Sequence, residues 1–124
     1  MKVLEELFKV ERAAFEDKEG SLRVAATLSV RRDSAVYRGH FPGKPVTPGV
    51  AMLGAVVELL SQVSCRTLSL KKVNNVKYLG MMSPDDVDGA TLAATLTPDS
   101  VATATYTKGD TTYAKMKLTL TTEH

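Results

Sequence analysis

The sequence predicts an α+β fold in which a curved antiparallel sheet of five to six strands wraps around one long central helix. Three observations predict it. Residues 50–63 form the only long apolar run, interrupted only by Gly54, Glu58, Ser61 and Gln62, and make a helix too apolar for a surface. Several other segments alternate apolar and polar residues with period two, so each has one face to bury. No second apolar helix is present to cover those faces, so the sheet must curl around the first.

Residues 7–16 hold Phe8, Val10 and Phe15 among charges and read as a first strand with an irregular middle. Asp17-Lys18-Glu19-Gly20 is a turn. The next strand alternates cleanly, with Leu22, Val24, Ala26, Leu28 and Val30 on one face and Arg23, Ala25, Thr27 and Ser29 on the other. Polar residues 31–34 and then Ala35-Val36-Tyr37-Arg38 lead to a motif before the helix. Beyond the helix, strand signals fall at 67–70, 73–79, 91–97, 101–107 and 111–121. The last two form a hairpin around Lys108-Gly109-Asp110, with Ala114, Met116, Leu118 and Leu120 pointing inward.

A chain of 124 residues, 44% hydrophobic and 24% charged, makes a single soluble domain, here 1–124. Its net charge of +2 comes without any basic run interleaved with aromatics, which argues against nucleic acid as a partner. The lone Cys65 excludes an intrachain disulfide and reads as a buried filler at the helix end. Glu5 and Glu6 stand where a signal peptide needs apolar residues, and the 50–63 run is too short to cross a bilayer and contains Glu58. A cytoplasmic protein without membrane contact is expected. No metal-ligand cluster or phosphate loop is visible, so no cofactor is expected.

The chemistry concentrates in His40-Phe41-Pro42-Gly43-Lys44-Pro45-Val46-Thr47-Pro48-Gly49-Val50. Three prolines and two glycines ahead of Val50 make a stiff backbone that can lie close to a ligand. Pro48-Gly49 opens the apolar helix, whose first N–H groups form a partly positive pocket with no side chain at Gly49 to block it. A histidine near such a pocket is half of a proton-transfer site with an electrophilic hole beside it.

Gly39-His40-Phe41-Pro42-Gly43, then Pro45-Val46, then Pro48-Gly49-Val50 resemble the signature of the (3R)-3-hydroxyacyl-[acyl carrier protein] dehydratases of fatty acid biosynthesis. Lys77-Tyr78, Pro84 and Asp86 add to the likeness, falling where that family carries a Lys-Phe strand start and a Pro-Gly-Asp turn; Asp85 replaces the glycine. The similarity spans about residues 34–96. It implies a hotdog fold, a homodimer or higher assembly, and a lyase acting on acyl carrier protein or coenzyme A thioesters. It also implies that His40 is the base, that the Gly49 N–H binds the thioester oxygen, and that Phe41, Pro48, Val50 and Gly54 line the substrate site. The family's second catalytic group is a Glu or Asp on the helix of the opposite subunit, fourteen residues after the histidine. Here that position is Gly54.

Glu58 is the obvious substitute, one turn further on the same helix face, with its side chain leaning toward the space Gly54 leaves. Equally, it pairs with a basic side chain at a dimer interface or reaches water. Arg38, Lys44, Lys71, Lys72 and Lys77 either ring a tunnel mouth that attracts an acidic carrier protein or are plain solvated charges. Tyr37, Phe41, Met52, Met81 and Met82 either line an acyl tunnel or belong to the core. Three functions follow: a dehydratase or double-bond isomerase using His40, Gly49 and Glu58; a non-catalytic or half-site partner of a related, acid-bearing dehydratase; and a hotdog thioesterase in which Glu58 activates water.

Overall fold

The structure, a computed structural model, describes residues 3–34, 47–84 and 87–122. A short helix α1 (Val3–Leu7) precedes β1 (Phe8–Lys18) and β2 (Ser21–Val30). The long helix α2 (Gly49–Ser64) is followed by β3 (Leu68–Tyr78), β4 (Gly89–Leu96), β5 (Val101–Lys108) and β6 (Thr111–Thr122). The six strands make one antiparallel sheet in the order β1-β2-β4-β5-β6-β3, with α2 packed on its inner face. This is the hotdog arrangement expected from the sequence.

Alternation decides which faces close on the helix. Leu22, Val24, Ala26 and Leu28 of β2 are buried, as are Ala114, Met116, Leu118 and Leu120 of β6, while Arg23, Ala25, Lys115 and Lys117 face outward. Against them α2 presents Ala51, Met52, Ala55, Val56, Leu59 and Leu60, all buried at a helical spacing. At the buried start of β1, Phe8 meets Tyr106 of β5, the ring centroids 6.3 Å apart. The Tyr106 hydroxyl donates a 2.6 Å hydrogen bond to the Met52 carbonyl, which pins the first turn of α2 to the sheet.

Four sequence expectations change. The irregular middle of β1 is a register shift between Val10 and Arg12, but β1 begins after α1, a helix the strand pattern did not anticipate. The segments 67–70 and 73–79 are one strand, because shifts between Leu70 and Lys72 and between Val73 and Asn75 absorb the break in alternation. Cys65 is exposed rather than buried, since α2 ends there in a left-handed turn (φ 55°) that swings it out of the apolar stripe. Met52 and Met82 are core, whereas Met81 is 58% exposed.

Candidate functional site

The described part of the motif begins at Thr47, which is buried and whose N–H donates to the Met82 carbonyl at 2.7 Å. Pro48 is the N-cap residue of α2, extended at φ −63° and ψ 137°, and its side chain makes no capping hydrogen bond. The Met52 N–H closes the first turn onto the Pro48 carbonyl at 3.1 Å. The N–H groups of Gly49, Val50 and Ala51 precede that bond, so the helix gives them no acceptor. Val50 is 83% exposed, which leaves this turn open on one side.

Gly49 is a glycine for a steric reason that sequence reading missed. A Cβ built on it would lie 2.5 Å from Cζ and 2.6 Å from the hydroxyl oxygen of Tyr78. The phenol at the end of β3 therefore covers the start of α2. Burial raises the pKa of Tyr78, and raises that of the wholly buried Tyr106 much further, with Tyr78 and Glu58 adding to the latter. Both rings stay neutral and keep their protons at physiological pH. The signal for Tyr78 was its hydroxyl, at a position where the resembled family carries phenylalanine.

Gly54 is half-buried on α2. Glu58, one turn on, is half-buried as well, and its Oε2 accepts the backbone N–H of Leu4 at 2.9 Å. That N–H belongs to the first turn of α1, where a helix lacks internal acceptors and favours negative charge. This partner was not among those weighed from the sequence. Glu58 also lines a cavity of about 290 Å³ with Leu4, Glu5, Val57, Ser61 and Leu68. Beneath it the Ser61 hydroxyl donates to the Val57 carbonyl at 2.8 Å and accepts the Leu68 N–H at 3.2 Å, tying α2 to β3. His40 and Phe41, together with Tyr37, Arg38, Lys44 and the Asp85 turn, lie outside the described residues. Lys71, Lys72 and Lys77 are exposed on β3.

A larger concavity, about 680 Å³, lies elsewhere. It runs between two outward rows that the register sets side by side, Ala14–Ala25–Ala93–Thr105–Lys115 and Glu16–Arg23–Thr95–Thr103. No residue of α2 lines it, so it is separate from the chemistry of the motif. Among the described residues no group of His, Cys, Asp and Glu is arranged to hold a metal ion, and no helix is long and apolar enough to cross a membrane.

Comparison with known proteins places this geometry. The "3-hydroxyacyl-[acyl-carrier-protein] dehydratase FabZ" of Clostridium acetobutylicum is 32% identical over 79 residues, covering 58% of this chain and 56% of that protein. The protein of the same description from Ralstonia nicotianae is 32% identical over 82 residues, covering 66% of this chain and 48% of that one. The chain thus spans about half the length of the curated relatives it matches. Two crystal or complex structures share the fold over almost the whole chain. An uncharacterised protein from Erwinia carotovora subsp. atroseptica superposes with a TM-score of 0.79 at 23% identity, covering 94% of this chain and 97% of that one. A chain of the dehydratase heterocomplex ApeI:P from Xenorhabdus doucetiae superposes with a TM-score of 0.71 at 22% identity, covering 91% and 96%. A family model described as ApeI-like, ApeI dehydratase, matches residues 15–117. With the motif, the fold and that match in agreement, the chain belongs to the ApeI-like dehydratase family.

Proposed function

We propose that this chain supplies the base-bearing half of a 3-hydroxyacyl thioester dehydratase site, acting on acyl chains carried by acyl carrier protein. His40 takes the α proton of the substrate, and the Gly49 N–H at the start of α2 donates a hydrogen bond to the thioester oxygen as negative charge builds there. The observation that carries this reading is the first turn of α2, which has no side-chain cap, is open on the side of Val50 and is positioned by the Tyr106 bond to Met52. The acid that helps the 3-hydroxyl leave comes from a second subunit. Gly54 has no proton to give, and Glu58 is already committed to α1.

The second subunit docks on β3. This strand is one edge of the sheet, and Leu70, Val73, Tyr78, Leu79 and Met81 on or just beyond it are at least 40% exposed. An edge with apolar side chains favours pairing with another chain. That a structural neighbour is part of a dehydratase heterocomplex supports a second, different subunit as the partner. A second reading is a self-sufficient homodimer in which Glu58 leaves Leu4 and serves as the acid; its half-burial on the face of Gly54 favours this version.

Turnover of 3-hydroxybutyryl and crotonyl pantetheine thioesters separates the two. The half-site reading expects little activity from the chain alone and activity on adding an acid-bearing dehydratase subunit, abolished by His40→Ala here and indifferent to Glu58→Gln. Full activity of the isolated chain, lost in Glu58→Gln, selects the homodimer. Absence of turnover under both conditions overturns the dehydratase function.

A further inference from the structure

Tyr78 lies across the residue whose N–H is proposed to hold the thioester oxygen. Its hydroxyl oxygen would be 2.6 Å from a Cβ on Gly49, so it fills the space directly beside that backbone. Pro48 adds no side-chain cap there, so this polar atom lies beside the helix turn whose N–H groups have no acceptor within the helix itself. Tyr78 is 50% exposed, so it is not sealed within the core. Among the described residues no hydrogen bond takes up its hydroxyl, whereas that of Tyr106, the other phenol at this end of the helix, is bound to Met52. A phenylalanine would fill the same space with the same ring, so packing alone does not account for the oxygen.

We propose that Tyr78 is a catalytic residue of this site, its O–H joining the Gly49 N–H as a second donor to the carbonyl oxygen of the acyl thioester. This rests on the dehydratase reading above. As His40 takes the α proton, the C–H electron pair forms the Cα–C1 double bond and the carbonyl pair moves onto oxygen. The two donors then face an enolate oxygen instead of a neutral carbonyl, and each hydrogen bond strengthens. When the oxygen's electrons return, the C3–O bond breaks and the hydroxyl departs as water with a proton from the acid. Tyr78 keeps its own proton throughout, and burial, which raises its pKa, keeps the donor in place across physiological pH. A second donor matters in a site whose helix acid is missing at Gly54, because it lowers the barrier of the step that precedes departure of the hydroxyl.

Tyr78→Phe tests this, since it keeps the ring over Gly49 and removes only the oxygen. The expected result is a fall in kcat of about 10–100-fold for crotonyl pantetheine hydration, with KM changed less than about twofold. A second readout needs no turnover: the infrared carbonyl stretch of ¹³C-labelled crotonyl pantetheine bound to the His40→Ala protein. That stretch is expected to lie below its solution frequency and to move back toward it when Tyr78→Phe is added. Wild-type activity with an indifferent Tyr78→Phe variant, or a carbonyl stretch that ignores the hydroxyl, overturns the role of Tyr78 and leaves the dehydratase reading standing. A wild type that neither binds nor turns over the thioester, alone or with an acid-bearing subunit, overturns both.

Discussion

Glu58 and Leu4, 54 residues apart, are joined by a 2.9 Å hydrogen bond in which the α2 carboxylate accepts a backbone N–H from the first turn of α1. The bond gives α1, only five residues long, a partner it cannot find within itself. Glu58→Gln keeps an acceptor oxygen and is expected to leave stability within about 0.5 kcal/mol of wild type. Glu58→Ala is expected to cost about 1–2 kcal/mol. Urea unfolding of the two variants checks this, and equal losses would show that charge, not the hydrogen bond, is what α1 uses.

The contact between Gly49 and Tyr78 predicts a specific rescue. Gly49→Ala places a methyl 2.5 Å from the Tyr78 ring and must displace it, at a cost of about 1–3 kcal/mol. Adding Tyr78→Ala removes the obstacle. The double variant is therefore expected to be less destabilised than the sum of the two single ones, a coupling that thermal or urea denaturation of all four proteins measures.

The edge strand β3 makes an assembly prediction. Leu79 is 56% exposed and Val73 is 45% exposed on the proposed seam. Leu79→Glu and Val73→Glu each put a charge into a contact that must exclude water, and are expected to lower the mass of the assembly, with an acid-bearing subunit or with a second copy, in light scattering after size exclusion. An unchanged mass for both variants would place the seam elsewhere, for instance on β1.

Lys108 and Asp88 form an exposed ion pair at 2.7 Å. The hydrogen bond from Lys108, and then its charge, hold the Asp88 carboxyl below its ordinary value. With the folded value below the unfolded one, the pair's small contribution is present at neutral pH and is lost as pH falls through the folded value. Lys108→Met is expected to return Asp88 toward ordinary carboxylate titration, read by NMR of its side-chain carbon. Any stability difference between the two proteins is expected to vanish in acid.

How much of this was legible follows the range of the interactions. The inward faces of β2 and β6 were readable because alternation is local, and α2 because its apolar stripe is continuous from Ala51 to Leu60. The division of β3 into two segments was wrong because its two bulges break alternation without breaking pairing, a fact visible only against β6. Helix α1 was illegible because what secures it lies on α2. The same holds at the site. His40, Gly49 and the missing acid at Gly54 stand in one contiguous stretch and could be named from it, but Tyr78 reaches Gly49 only through the fold. Cys65 was misread because helix-end geometry, not hydrophobicity, decides where it points.

The sheet order carries one further consequence, for how the chain acquires its shape during synthesis. Strand β3 leaves the ribosome directly after α2, yet its partner is β6, so that Leu68 waits for Thr122. Until β6 arrives, β3 has both of its edges open and the apolar helix has only part of its cover. Such long-range closure slows folding and leaves a sticky intermediate. A chain interrupted within β6 would therefore lose more than one strand: β3 would be left without its only neighbour and β5 with one edge unpaired, and the nascent protein would be prone to aggregate.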